Sequence, residues 1–210
     1  PLLNELDRCE DAVLVMRTRQ ELGRYLMIQG DLDAAMDLLQ QALRDAEKLG
    51  DVAVASAASG NIGMVFFNHR EFDDALSWFT RTVELMRMRG DRARTALALR
   101  SIGMTHSKKN NYTKALSAYR AALNELKKSD DVPIDARIEI QIQESIGVDH
   151  LNLADVSNAS KNYDAAVEAF TLCLTLSEQR GLDVSRAVAL RNLGQVYAES
   201  GYRGYNLSSA

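Results

Sequence analysis

Proline occurs only twice in this chain of 210 residues, so almost nothing in it forbids long helices. Cysteine is equally scarce. Cys9 and Cys173 lie too far apart in sequence to read as a metal knuckle or a redox pair, and both are expected to be buried thiols in a reducing compartment. No apolar run reaches the length that spans a bilayer, and no charged-then-apolar leader is present, which points to a cytoplasmic protein without membrane insertion. Charge of one sign is lacking too: a net charge of -4 gives no bulk attraction to nucleic acid or anionic lipid. Only three histidines occur, and none stands in the two-histidine helical spacing of a metalloprotease, so no metal is predicted. Paired carboxylates such as Asp73-Asp74 and Asp130-Asp131 fall at helix starts and turns, where they cap, and no nucleophile–base set appears. The chain is therefore expected to be no enzyme and to need no cofactor.

What is present is a repeat. Leu or Ile followed by Gly, with a bulky residue three positions on, returns at Leu22-Gly23 with Leu26, Ile62-Gly63 with Phe66, Ile102-Gly103 with His106, Ile146-Gly147 with His150, and Leu193-Gly194 with Tyr197. The first three glycines are 40 residues apart. A period of this size means stacked helical hairpins. His106 and His150 occupy a packing position within it and are expected to be interface histidines.

Twelve residues before the reference glycine stand Asp11, Asp51, Asp91 and Asp135, with Gly50 and Gly90 just ahead of two of them. Asp caps a helix start, and Gly ends the previous helix in the left-handed conformation. Twelve residues after the glycine come Ala35, Ala75 and Ala115, and in the fourth repeat Ala166, displaced by seven residues. Four residues beyond each alanine is Leu39, Phe79, Tyr119 or Phe170. Offsets of three and four on one face are the helical period. Small residues let two helices approach while the large ones fill the space beside them.

These signals predict first-type helices over about 12–29, 52–69, 92–109, 134–153 and 183–200, and second-type helices over about 32–49, 72–89, 112–128 and 163–180. The polar stretch 154–161 is expected to loop out. Residues 129–133 form a longer turn, and Tyr202 and Tyr205 are placed over the end of the array. The predicted organisation is a leading extension or helix tail over 1–10, an array over 11–203, and a tail over 204–210. The repeats fall at about 11–50, 51–90, 91–130 and 131–181, with a partial one over 182–203. The fold class is all-α: a right-handed α-solenoid of antiparallel helical hairpins.

The recurring Leu-Gly, Tyr/Phe and spaced alanines resemble the tetratricopeptide repeat over roughly residues 12–200. The 40-residue unit is similar to that of partner-of-inscuteable-type adaptors, whereas the His-Pro turn of kinesin light chains is missing. The Asn that usually follows Leu-Gly in those adaptors is replaced by Arg24, Met64, Met104, Val148 and Gln195, which argues against the chaperone carboxylate clamp.

The resemblance implies a protein–protein interaction scaffold whose groove is lined by the first-type helices. The groove residues it implies are Arg24, Met27, Asn61, Met64, Phe67, Asn68, Arg100, Met104, Lys108, Arg191 and Gln195. Methionine adapts to partner surfaces, and arginine forks carboxylates. The expected partner is thus a protein or peptide with apolar anchors and acidic flanks, and not nucleic acid. Alternatives are a self-associating homo-oligomer, a cytoskeletal or ciliary assembly element, and a peptide-sensing regulator. Replacing Ala75 by Leu is expected to lower stability by about 1–3 kcal/mol through overpacking, read as a fall in the urea midpoint.

Overall fold

The computed structural model describes residues 11–128, 136–157 and 160–199, and among these every regular element is a helix. Nine follow one another: α1 (Ala12–Gln29), α2 (Leu32–Leu49), α3 (Val52–Asn68), α4 (Phe72–Met88), α5 (Arg92–Lys108), α6 (Tyr112–Lys127), α7 (Ala136–Ser157), α8 (Ser160–Gln179) and α9 (Asp183–Ala198). The fold is an all-α repeat solenoid. It divides into two compact units, one ending at Thr105 and the other beginning at His106.

The Asp and Gly signals act as the sequence implies. Asp11 Oδ1 accepts from the amides of Val13 and Leu14, both at 3.0 Å, and Asp51 Oδ1 accepts from those of Ala53 at 3.0 Å and Val54 at 3.1 Å. Asp91 accepts from Arg94 N at 3.0 Å. The Asp135 cap, the 129–133 turn, Tyr202, Tyr205, and the segments 1–10 and 204–210 lie outside the described residues. Gly30 and Gly50 end their helices at φ 89° and 70°, and the amides that follow return to Leu26 O and Ala46 O at 3.0 and 2.9 Å. This closure satisfies two orphan carbonyls per helix end. At Gly30 and Gly50 it leaves two-residue turns, and the helix that follows folds back on the last. In the three-residue turns 69–71 and 109–111, Arg70 and Asn110 take the left-handed conformation instead, at φ 65° and 58°.

In the first unit, α1 packs on α2, α2 on α3, and α3 on α4. Met16, Leu39, Leu43, Val54, Ala58, Ile62 and Val65 form its core, with Trp78 and Leu85 against the edge. The reference glycines are the contact points. A Cβ on Gly23 would stand 2.8 Å from Leu39 Cγ, and one on Gly63 would stand 2.7 Å from Phe79 Cε1. Phe79 is 2 % exposed, and burying a side chain of this kind stabilises by about 1.5–3 kcal/mol. Trp78 is half-buried, with the Arg81 guanidinium 5.5 Å over its ring.

In the second unit, α7 and α8 form a hairpin, α6 packs on α7, and α9 packs on α8. Phe170 fills the notch at Gly147, and Leu151, Ala166, Leu193 and Val196 surround it. Most of the stretch expected to loop out is helical: α7 continues to Ser157 and α8 starts at Ser160. No glycine or proline interrupts this stretch, and Ala154 is fully buried, so the added residues lengthen the hairpin. Cys173 is buried between the two helices. Its Sγ lies 3.5 Å from Ile140 O, and burial pushes its pKa up to about 12.

Asp149, on α7, is the charged residue that fits its surroundings least well. It occupies the register position held by Val65 and Val196 elsewhere and is 1 % exposed. Its Oδ1 accepts from Ser107 Oγ at 2.5 Å and Asn152 Nδ2 at 3.4 Å, while Oδ2 is buried without a hydrogen bond. Burial raises its pKa above the ordinary 3.8, and the two hydrogen bonds only partly offset this.

Because the folded carboxyl holds its proton more tightly than the unfolded one, its contribution to stability is complete below the ordinary value. It is lost as pH rises through the folded value. Asp149→Asn is expected to flatten that decline, measured as the difference between wild-type and variant urea midpoints from acid to neutral pH. At the other irregularity, Arg70→Gly is expected to raise stability by about 1 kcal/mol, because only the Cβ makes φ 65° costly. A thermal or urea melt reads it.

Candidate functional site

The first unit holds an open cavity of about 610 Å³, within the range of pockets that take small ligands or peptide side chains. Helix α1 contributes Arg17, Gln20, Glu21 and Arg24, and α3 contributes a run of small residues between Ala53 and Gly60, then Asn61 and Met64. Phe79, Thr82 and Met86 of α4 form an apolar base. Leu97, Ala98, Ser101 and Arg94 of α5 line the remaining side. The small residues matter for the shape. Ser56 and Ser59 are fully buried, and Gly60 faces Thr82 with room for an ordinary contact at 3.5 Å, so α3 leaves space where a larger side chain would fill it.

Three arginines stand around the cavity, each beside a carboxylate. Arg17 Nη2 is 3.6 Å from Asp51 Oδ2, Arg24 Nε is 2.9 Å from Glu21 Oε2, and Arg94 Nη1 is 3.6 Å from Asp91 Oδ2. All three side chains are about half or more exposed, at 64, 49 and 58 %. Exposed pairs of this kind are worth at most about 1 kcal/mol. Asp51 and Asp91 also hold helix amides through Oδ1, so they remain engaged if an arginine turns away. The guanidinium groups can thus exchange their partners for an incoming carboxylate at small cost. Among the described residues, no three His, Cys, Asp or Glu side chains gather as metal ligands, and no helix is long and apolar enough to cross a membrane.

The structure brings Arg24, Asn61 and Met64 of the sequence-implied groove together in this cavity. Met27 instead packs half-buried against the first unit's core, and Phe67 meets Phe72 edge-to-face at 5.9 Å between centroids. Asn68 is exposed beyond them, and Arg100 and Met104 are half-buried on α5 away from the cavity lining. Lys108, Arg191 and Gln195 belong to the second unit, where all three are exposed and Arg191 donates to Asn192 Oδ1 at 3.2 Å. Residues that sequence reasoning missed are Arg17, Ala57, Arg94, Leu97 and Ser101. Arg17, Ala57, Leu97 and Arg94 lie six or nine residues before their reference glycines, on the stripe of Gln20 and Gly60 extended toward the helix N-termini, and Ser101 shares the register of Asn61. Following the helical period backward from Gly60 would have found them.

Models described as tetratricopeptide repeat match residues 15–49, 53–128 and 150–180, together more than half of the chain. A search of curated proteins finds no match. Solved structures with a similar fold include BtubC (BKLC) from P. vanneervenii, at 15% identity and a TM-score of 0.59, covering 93% of this chain and 84% of that one. The apo form of RapI is similar at 14% identity and a TM-score of 0.64, covering 95% and 59%. A signal transduction ATPase with numerous domains and a tetratricopeptide repeat sensor, PH0952 from Pyrococcus horikoshii, matches at 18% identity and a TM-score of 0.66, covering 92% and 31%. The chain thus spans most of BtubC but less than two thirds of the other two. At these identities the likeness is one of fold. The family matches, the glycine notches and the all-helical hairpins agree, and the chain belongs to the tetratricopeptide repeat family.

Proposed function

We propose that this protein-interaction scaffold binds a segment of a partner protein in the cavity of its first unit, with an apolar anchor on the base and acidic residues on the rim. The observation that carries the reading is the pairing of an apolar base, Phe79, Thr82 and Met86, with three exposed arginines whose existing ion pairs are weak. Met64 and Leu97 are half-buried at the cavity wall and can shift to fit an inserted side chain. An arginine fork gives direction to an acidic flank that a lysine would not. The reading is a non-catalytic one: the site holds shape and charge, and its chemistry is recognition.

A random-peptide library selected on the full chain tests this. Sequences with a large apolar residue flanked by Asp or Glu are expected to be enriched. Arg17→Glu combined with Arg94→Glu should weaken the selected peptides about tenfold or more, as loss of charge-assisted hydrogen bonds does. Met64→Asp should weaken them independently. Peptides that bind both variants as tightly as the wild type would place recognition elsewhere.

A further inference from the structure

The turn between α4 and α5 carries a charge that the fold does not ask for. Arg87, Arg89, Arg92 and Arg94 follow one another closely there, in a chain whose net charge is -4. The carboxylates near them in sequence are Asp91 and, one helical turn before Arg87, Glu84. Asp91 is already engaged: its Oδ1 accepts from Arg94 N at 3.0 Å, and its Oδ2 lies 3.6 Å from Arg94 Nη1. All four arginines are exposed, as is Met88 among them.

The corresponding turn of the preceding repeat is different. At the register positions of the four arginines it has Glu47, Leu49, Val52 and Val54, and Val54 is buried in the first unit's core. A Gly-Asp pair is common to both turns, as Gly50-Asp51 and Gly90-Asp91, so the fold uses the pair and not the arginines. Two of the arginines even oppose local stability. Arg92 and Arg94 stand in the first turn of α5, which holds no acid, at the positive end of the helix dipole. There α2 carries Asp33, and α4 carries Asp73 and Asp74. The turn is also one end of the cavity: Met86, on the apolar base, immediately precedes Arg87, and Arg94 lines the rim.

We propose that the α4–α5 turn is a docking surface for an acidic tract, several consecutive Asp or Glu residues, continuing from the apolar anchor of the same partner segment. The inference rests on the cavity reading for that anchor. A segment seated against Met86 leaves the cavity beside the arginines, and its carboxylates take the guanidinium forks of Arg94, Arg92, Arg89 and Arg87. Nucleic acid or an anionic membrane fits less well. The positive charge is confined to one turn, and a longer polyanion would run onto the rest of a chain that is net negative.

The probe is a fluorescein-labelled peptide of one leucine followed by alternating Asp and Glu, titrated into the full chain and followed by anisotropy. Its control has Asn and Gln in place of Asp and Glu. The acidic peptide is expected to bind saturably, the control to bind about tenfold more weakly or worse, and added salt to narrow the difference. Arg87→Ser, Arg89→Ser and Arg92→Ser together, with Arg17, Arg24 and Arg94 left in place, should weaken the acidic peptide about tenfold or more, the loss of three exposed charge pairs. Circular dichroism and a melting point no lower than the wild type's establish that this variant is folded. Equal affinity for wild type and variant overturns the proposal, and so does absence of saturable binding. Met64→Asp separates the two readings. If only the arginine variant weakens binding, the acidic surface stands without the cavity anchor; if only Met64→Asp does, the cavity stands and this proposal falls. Phosphatidylserine vesicles or oligo-thymidine that bind more tightly than the peptide, and are lost in the arginine variant, would also overturn it.

Discussion

The contact on which the rest of this molecule depends is a large side chain seated where a glycine has none. Leu39 over Gly23, Phe79 over Gly63 and Phe170 over Gly147 are one arrangement made three times. Each lets two helices approach closely along a face that is otherwise small or apolar, and each buries its knob almost completely. The attraction is the ordinary gain from removing apolar area from water, sharpened by close packing. Because the notch lies within a helix, and not at its end, it fixes the rotation of the first helix about its axis. That rotation decides which residues face the second helix, which meet the preceding hairpin, and which are left to line the cavity.

The ends of the helices determine how far each contact can slip. A cap at the start and a left-handed residue at the stop confine each turn to two or three residues, and the helices of the first unit run to 17 or 18. The caps also reach into the candidate site. Asp51 holds two amides of α3 and faces Arg17 of α1, joining the start of one first-type helix to the side of another. A helix start and a binding rim are here the same carboxylate. In the second unit α7 and α8 run to 22 and 20 residues, and the longer hairpin retains its glycine notch because the extra turns are added beyond it.

The periodic features were legible in the sequence, because each is set by residues repeated at a fixed offset. The starts of α2, α3 and α5 follow from Gly-Asp pairs, and the knobs follow from residues sixteen after Gly23 and Gly63. Features that break the period were not. The stretch 154–161 looks polar and loop-like residue by residue, yet α7 runs on to Ser157 with Ala154 buried, a tertiary contact that local composition does not reveal. Asp149 carries no sign that it will be enclosed, since an aspartate two residues after a glycine is ordinary. The cavity was legible only in part. Arg24, Asn61 and Met64, expected from analogy of position, line it, whereas Arg17 and Arg94 enter because α1 and α5 present their N-terminal halves to it. Local spacing does not contain that placement.

The burial of Cys173 has a consequence for how the second unit can be observed. With its pKa pushed to about 12, the sulfur keeps its proton at any physiological pH, and it is the thiolate that oxidants and alkylating reagents attack. The packing of α7, α8 and α9 therefore shields this position chemically as well as sterically. Any modification found there records a moment when the packing of α7, α8 and α9 around it had opened, which makes this sulfur a built-in clock for the opening of the second unit.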